Sequence, residues 1–222
     1  MLRMRFARPV LLALAACAGM AAASPVCGQV HVNEILGDPG VDWNGDGTVS
    51  ARDDEWVEIV NAGTGPVVLD DYRLSDGGNR LLRYGFAGTL LPGAVQVVFG
   101  SASVVWEGTH GVSAVGLSLN NTGDSVRLWK IAGADTVLVD SYTYAAFEVL
   151  DDRSVGRLPD GGPEWRLWDR HTPYTGTTPP LGTGCEPTPG TQNQCPTAVE
   201  QTPWSDVKRL YRGGSEVGFE RH

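Results

Sequence analysis

The sequence predicts an all-β domain of the β-sandwich class, and three observations lead to that prediction. Short segments with alternating apolar and polar residues recur along the chain, for example at residues 56–60 and 125–130. Turns rich in glycine separate these segments. Helical periodicity is almost absent, so the crossover helices that join parallel strands are excluded.

Seven strands are expected, and the turns between them have the residue types that β-turns favour. In chain order the expected strands span residues 30–36, 56–61, 67–74, 81–86, 94–100, 125–131 and 136–144. The turns are Gly-Thr-Gly-Pro at 63–66, Asp-Gly-Gly-Asn at 76–79, Pro-Gly at 92–93 and Gly-Ala-Asp at 133–135. Seven short strands at this spacing are typical of a sandwich.

The N-terminal segment, residues 1–28, has the pattern of a secretory signal peptide. Three arginines precede an uncharged apolar run at residues 10–23, which is too short for the roughly 20 residues that a transmembrane helix needs. Cleavage after Gly28 is expected, which makes the protein extracytoplasmic, either secreted or on the cell surface. Leu-Ala-Ala-Cys at 14–17 also has the form of a lipoprotein box, and lipidation of Cys17 is the alternative.

The cysteines favour cleavage after Gly28. That cleavage removes Cys17 and Cys27 and leaves Cys185 and Cys195, which are expected to form a disulfide in an oxidising compartment. The first 28 residues contain three of the 17 basic groups and none of the 26 acidic ones. The mature chain therefore has 14 basic and 26 acidic groups, and its net charge of −12 argues against nucleic acid as a partner.

The loop between the first two expected strands, residues 42–53, predicts a calcium site. Its oxygen-bearing residues stand at loop positions 1, 3, 5, 9 and 12, with glycine at position 6, which is the order of an EF-hand loop. Calcium takes six to eight oxygen ligands, and alternate residues of a tightly turning loop supply them. The expected ligands are the side chains of Asp42, Asn44, Asp46 and Asp53, the carbonyl of Thr48, and Ser50 through a water molecule. Because aspartate at position 12 is shorter than the usual glutamate, weak binding is expected.

The C-terminal part of the chain is expected to be irregular. From Thr172 to Glu200 the sequence is rich in proline, threonine and glycine, a composition that does not form regular structure. The sandwich domain is therefore assigned to residues 29–196, and residues 197–222 form a tail. Thr202-Pro203 resembles a helix start, which predicts a short amphipathic helix that ends at Gly213-Gly214.

Taken in order, eight segments of the chain resemble the lamin tail domain in its bacterial secreted form. They are Val-Asn-Glu-Ile-Leu at 32–36, Asp-Glu-Trp-Val-Glu-Ile-Val-Asn at 54–61, Val-Leu-Asp-Asp-Tyr-Arg-Leu-Ser-Asp at 68–76, Leu-Pro-Gly at 91–93, Gly-Asp-Ser-Val-Arg-Leu at 123–128, Asp-Ser-Tyr at 140–142, Ser-Val-Gly-Arg-Leu-Pro-Asp-Gly at 154–161 and Pro-Thr-Pro-Gly-Thr-Gln-Asn at 187–193. The resemblance implies an immunoglobulin-like sandwich without catalytic activity. The acidic loop resembles an insertion of the kind that dockerin repeats use for calcium.

The polar residues outside the loop do not form a catalytic pattern. The histidines at 31, 110, 171 and 222 lack the spacing of metal ligands, and the glycines around Ser113 are one residue too far apart for a nucleophile elbow. Glu34 and Glu58 interrupt apolar strand segments. Each is expected either to face solvent or to contribute a carboxylate to the acidic loop or to a ligand.

The sequence therefore predicts a non-catalytic structural or binding module, secreted or on the cell surface, with a calcium-stabilised loop. The expected partner is a protein or glycan at the cell surface. Two alternatives stay open: a protein that accompanies a separate secreted hydrolase or nuclease, and a surface lipoprotein that acts as an adhesin.

Overall fold

The computed structural model of the protein describes residues 29–77 and 82–195. The expected signal peptide and the expected tail helix lie outside these residues. The elements are β1 (Val30–Leu36), β2 (Trp56–Asn61), β3 (Val67–Val68), β4 (Tyr72–Ser75), β5 (Leu82–Gly85), β6 (Thr89–Leu90), β7 (Val95–Phe99), α1 (Gly100–Thr109), β8 (Gly123–Ala132), β9 (Asp135–Ala145), a 3-10 turn (Ala146–Glu148), β10 (Ser154–Arg157) and β11 (Trp165–Trp168).

Two antiparallel sheets form the sandwich. The larger sheet has five strands in the order β11-β10-β1-β2-β7, and the smaller has four in the order β5-β4-β8-β9. The short strands β3 and β6 pair with each other. The prediction of an all-β, immunoglobulin-like sandwich with an irregular C-terminal segment is confirmed.

Alternation along the strands builds the core between the two sheets. Val57 and Ile59 of β2 pack in the same buried cluster as Val126 and Leu128 of β8. In β1 the register with β2 shifts between Val32 and Glu34. This irregularity lets both Val32 and Ile35 reach the core although they are three residues apart.

The larger sheet is buried on its second face as well. Every residue of β2 is buried, including Trp56 and Glu58, which alternate with the residues that face the core. Trp56 packs edge-to-face on Trp43 of the acidic loop, with ring centroids 6.2 Å apart. The larger sheet is thus the middle layer, with the β1–β2 loop and the C-terminal segment packed on its outer face.

The structure differs from the expected strands in three places. The segment expected as one strand at 67–74 is divided into β3 and β4 by a turn in which the amide of Tyr72 donates to the carbonyl of Leu69. Helix α1 follows β7 directly and was not predicted, because its sequence has no capping side chain and glycines at both ends. The strands β6, β10 and β11 were also missed, since β6 has two residues and β10 and β11 have four each with no clear alternation.

Candidate functional site

The acidic loop begins with a carboxylate that organises the backbone around it. Asp42 accepts hydrogen bonds from three successive peptide amides, those of Gly45 (2.8 Å), Asp46 (3.1 Å) and Gly47 (2.8 Å). The first half of the loop is therefore wrapped around the side chain at position 1.

The side chains at loop positions 3 and 5 each accept one backbone amide from the residue two positions later. Asn44 Oδ1 accepts from the amide of Asp46 at 2.9 Å, and Asp46 Oδ1 accepts from the amide of Thr48 at 2.8 Å. The turn needs glycine at two positions, because Gly45 and Gly47 have φ angles of 74° and 92°. The structure thus brings Asp42, Asn44 and Asp46 together at one end of the loop.

The second half of the loop is closed by Asp54, which the sequence analysis did not select. Asp54 is fully buried and accepts from the amides of Asn44 (2.9 Å) and Ser50 (2.8 Å). Asp53, the expected ligand at position 12, instead forms an ion pair with Arg52 at 2.7 Å. Hydrogen bonding to Arg52 lowers the pKa of Asp53. Ser50 contributes its hydroxyl oxygen, which accepts from the amide of Asp53 at 3.1 Å.

Contacts outside residues 42–53 fix the loop to the sandwich. Asp152 Oδ1 accepts from the amides of Gly40 and Val41 and from the indole of Trp43, the last at 2.7 Å. Within the loop itself, Asn44 Nδ2 donates to the carbonyl of Asp53 at 3.2 Å and joins its two halves. Within residues 29–77 and 82–195, no three His, Cys, Asp or Glu side chains are arranged to hold a metal ion. A cation in this loop would therefore also need the amide oxygen of Asn44 and carbonyl oxygens.

A second polar site lies on the outer face of the larger sheet. The expected disulfide between Cys185 and Cys195 is present, and the segment it encloses, residues 187–193, lies across β1 and β2. We call this segment the strap. Two of its amides donate to carboxylates of the sheet: that of Thr188 to Glu34 at 3.2 Å and that of Gly190 to Glu58 at 2.8 Å.

Glu34 and Glu58 stand directly opposite each other on β1 and β2, and both are fully buried. The hydroxyl of Thr188 lies 2.6 Å from Glu34 Oε2, and Ser154 also donates to Glu34. Asn33 bridges the pair to the next turn: its Nδ2 donates to Glu58 at 2.8 Å and to Asp160 at 2.9 Å. Neither glutamate faces solvent or reaches the acidic loop, so those two expectations were wrong. A contact of these residues with a ligand stays a prediction.

Burial changes the acidity of these glutamates. Desolvation raises the pKa of Glu34 from 4.5 to about 7, against the lowering effect of hydrogen bonds from Ser154 and Thr188. Desolvation, together with the charge of Glu34, raises the pKa of Glu58 to about 8. The two glutamates are therefore not both ionised near neutral pH, as expected for neighbouring acids whose titrations are coupled.

A third buried acid, Glu55, lies at the end of the acidic loop. It accepts from the amides of Ser118 (2.6 Å) and Leu119 (3.0 Å), and desolvation raises its pKa to about 8. Nearby on α1, Glu107 forms a buried ion pair with Arg83 at 3.1 Å and accepts from the amides of Val115 and Gly116. These acids hold loop backbone in place, a structural use of buried carboxylates.

A known protein family matches the part of the chain that contains β1 to β9. The sequence model of the Lamin Tail Domain family matches residues 23–146, more than half of the chain. The chain belongs to the lamin tail domain family. No curated protein matches it.

The matched part of this lamin tail domain contains β1 to β9, the acidic loop and both paired glutamates. The strap lies after the matched residues. So do the strands β10 and β11, although these two strands complete the larger sheet. Thr188 and Asn193 of the strap were visible in the sequence only as part of the family-like segment at 187–193. No local pattern indicated that they cover Glu34 and Glu58.

Lamin tail domains are immunoglobulin-like structural domains, generally without enzymatic activity. The three described histidines have individual structural contacts: His31 with Asp140 (3.3 Å), His171 with Glu186 (2.7 Å), and His110 stacked on Trp106. Over residues 29–77 and 82–195, no helix is long and apolar enough to span a bilayer.

Proposed function

We propose that this lamin tail domain is a non-catalytic structural and binding module outside the cytoplasm, and that its β1–β2 loop binds calcium weakly. The observation that carries the calcium proposal is the single carboxylate of Asp42, which accepts three successive backbone amides. Those hydrogen bonds hold the oxygens of the first half of the loop in place before any cation arrives, so little ordering remains to oppose binding.

The oxygens of the loop suit a hard cation. Asp42 Oδ2, Asn44 Oδ1 and Asp46 Oδ1 each accept one backbone amide and keep a lone pair for a cation, whereas Asp42 Oδ1 already accepts two. Calcium prefers such ligands, with carbonyl oxygen and water completing its shell. Thr48 would supply the carbonyl and Ser50 a water-mediated contact.

Asp53 sets the expected affinity. To reach a cation its carboxylate must leave the guanidinium of Arg52, with which it makes two hydrogen bonds of 2.7 and 3.1 Å. Aspartate is also one methylene shorter than the glutamate usual at this position. We therefore expect a dissociation constant of roughly 10⁻⁴–10⁻³ M, the range of extracellular calcium modules.

A thermal unfolding series tests the calcium site. Adding 10 mM calcium to the wild type corresponds to roughly 1.5–3 kcal/mol of stabilisation at that affinity, which is about 5 °C in Tm for a domain of this size. Asp42→Ala is expected to lose this shift. Asp135→Ala, which removes an exposed acid at the start of β9, is the matched control and should keep it.

Magnesium at equal concentration separates specific binding from general screening, because the loop offers a flexible set of oxygens that favours the larger ion. If calcium and magnesium shift Tm equally, or if Asp42→Ala responds like the wild type, the calcium proposal is wrong. The proposal of a structural and binding module does not depend on that result.

The extracytoplasmic location is supported by the signal-like segment 1–28 and by the Cys185–Cys195 disulfide, since such bonds persist in oxidising compartments. Intact mass of the exported protein distinguishes cleavage after Gly28 from lipidation of Cys17. The proposed partner is an extracellular protein or glycan. Pull-down and glycan-array experiments with the exported protein, compared with its Asp42→Ala variant, test whether the loop takes part in binding.

A further inference from the structure

Two independent constraints hold the strap in place: a disulfide between the residues that flank it and hydrogen bonds to acidic side chains beneath it. The disulfide between Cys185 and Cys195 closes the ring in which the strap lies. Within the ring, three strap amides donate to acidic side chains: those of Thr188, Gly190 and Asn193 donate to Glu34, Glu58 and Asp160, respectively. These acceptors lie at least 33 positions away along the chain, so the contacts do not form without the ring being seated.

The seat under the strap is closely packed and polar. Gly156 lies where three groups converge: a β-carbon there would stand 2.6 Å from Trp168 Nε1, 2.8 Å from Asn193 Nδ2 and 2.9 Å from Glu34 Cγ. Asn193 Nδ2 donates to the carbonyl of Arg157 at 2.8 Å. Shape and hydrogen bonding, more than apolar burial, therefore keep the strap in place.

We propose that the Cys185–Cys195 disulfide is a redox-sensitive latch, and that its reduction releases the strap from the paired glutamates and opens the outer face of the larger sheet. This inference does not rest on the calcium proposal. Both cysteines are partly exposed, so a reductant can reach the bond.

The reductant is a dithiol. Its thiolate attacks one sulfur of the Cys185–Cys195 bond and forms a mixed disulfide, and its second thiolate then displaces the protein sulfur. Two electrons pass to the protein, two protons complete the thiols of Cys185 and Cys195, and the dithiol becomes a cyclic disulfide. Apart from this dithiol, no reductant or cofactor is needed.

The groups uncovered by release oppose its reversal. Glu34 and Glu58 are kept from full ionisation by burial, and water reaching the open face returns both to the charged state. Asp160 is the third acid at this seat. Arg157, on the neighbouring strand β10, is engaged elsewhere, with Asp140 at 2.9 Å and the carbonyl of Val32 at 2.8 Å. Three uncompensated negative charges thus favour the open state once the ring is broken.

Amide hydrogen exchange of the oxidised and the dithiol-reduced protein tests the latch. We expect the amides of Thr188, Gly190 and Asn193 to exchange at least about tenfold faster after reduction, because closing a ring of this size restricts the open chain by roughly that factor or more. The amides of β1 and β2 that pair with each other should keep their slow exchange.

Two variants complete the test. Cys185→Ser/Cys195→Ser should show the fast strap exchange without reductant and no response to it, which excludes an effect of the reductant elsewhere. Gly156→Ala should loosen the strap with the disulfide intact, because its β-carbon meets Asn193 and Trp168. Unchanged strap exchange on reduction overturns the proposal. Equal acceleration of the β1 and β2 amides also overturns it, since the bond would then stabilise the whole domain rather than latch the strap.

Discussion

Glu34 and Glu58 give the protein a dependence on pH that is unusual for carboxyl groups. Their pKa values, about 7 and about 8, lie above the ordinary 4.5, so the folded state binds protons more tightly than the unfolded chain. Their contribution to stability is fully present below pH 4.5. It is lost as pH rises through the values in the folded protein.

Glu34→Gln is therefore expected to flatten the pH profile. Between pH 5 and pH 8 the wild type should lose on the order of 3 kcal/mol of unfolding free energy that the variant does not lose. Urea unfolding at four pH values measures this difference. Glu164→Gln, at an exposed glutamate, should retain the wild-type slope. Parallel profiles for wild type and Glu34→Gln would contradict the assignment.

The contacts of these residues could be predicted from the sequence only in part. The spacing of the acidic loop indicated which oxygens could act together, because the partners of Asp42 lie within five positions of it. The environment of Glu34 could not be predicted, since its partner Thr188 stands 154 positions away. A glutamate in a predicted strand is expected to be exposed when the segment that covers it is not known. Asp53 was selected because it stands at position 12 of the loop pattern, although Asp54 is the residue that accepts amides of the loop.

At the level of the elements, α1 and the acidic loop depend on each other. The first amides of the helix donate to loop carbonyls, Gly100 to Glu55 at 2.8 Å and Ser101 to Asp53 at 3.1 Å. These carbonyls replace the capping side chain that the sequence lacks. A helix that is capped by a distant loop has no local start signal in its sequence, so helix α1 could not be predicted.

Gly100→Ala tests this dependence. Its β-carbon would collide with the carbonyl of Arg52, so we expect a loss of roughly 2–4 kcal/mol in unfolding free energy. Gly108→Ala in the same helix is the matched control. It meets no atom within 4 Å and should be neutral or stabilising by up to about 1 kcal/mol. Chemical denaturation of both variants gives the comparison, and equal stabilities would refute the contact.

For the molecule as a whole, the folding unit extends beyond the part that matches the family. The match ends at residue 146, but β10 pairs with β1, and the strap covers Glu34 and Glu58. The fold class could be predicted from the strand series because apolar and polar residues alternate within segments such as 56–60 and 125–130. The three-layer arrangement could not, because it depends on contacts made by the irregular C-terminal segment.

A pair of truncations tests whether the residues after 146 are needed for the domain to fold. Residues 29–195 alone should unfold in one cooperative urea transition. Residues 29–146 should show none, because β1 would lose its partner β10 and the paired glutamates would be left without their covering segment. Circular dichroism and tryptophan fluorescence follow the transition. A shorter chain that unfolds at the same midpoint as the longer one would show that the later residues are an addition to a complete sandwich.

The hydrogen bond between Thr188 and Glu34 also affects when the domain can finish folding during its synthesis. A ribosome releases the first strand of this domain long before it makes the residue that covers Glu34. Until Asn193 has emerged, β1 lacks its outer neighbours and its buried acids stay in water. The domain therefore completes its fold only after nearly the whole described chain is available. Late completion suits the proposed extracytoplasmic location, because a chain that has not yet folded can pass through a narrow pore.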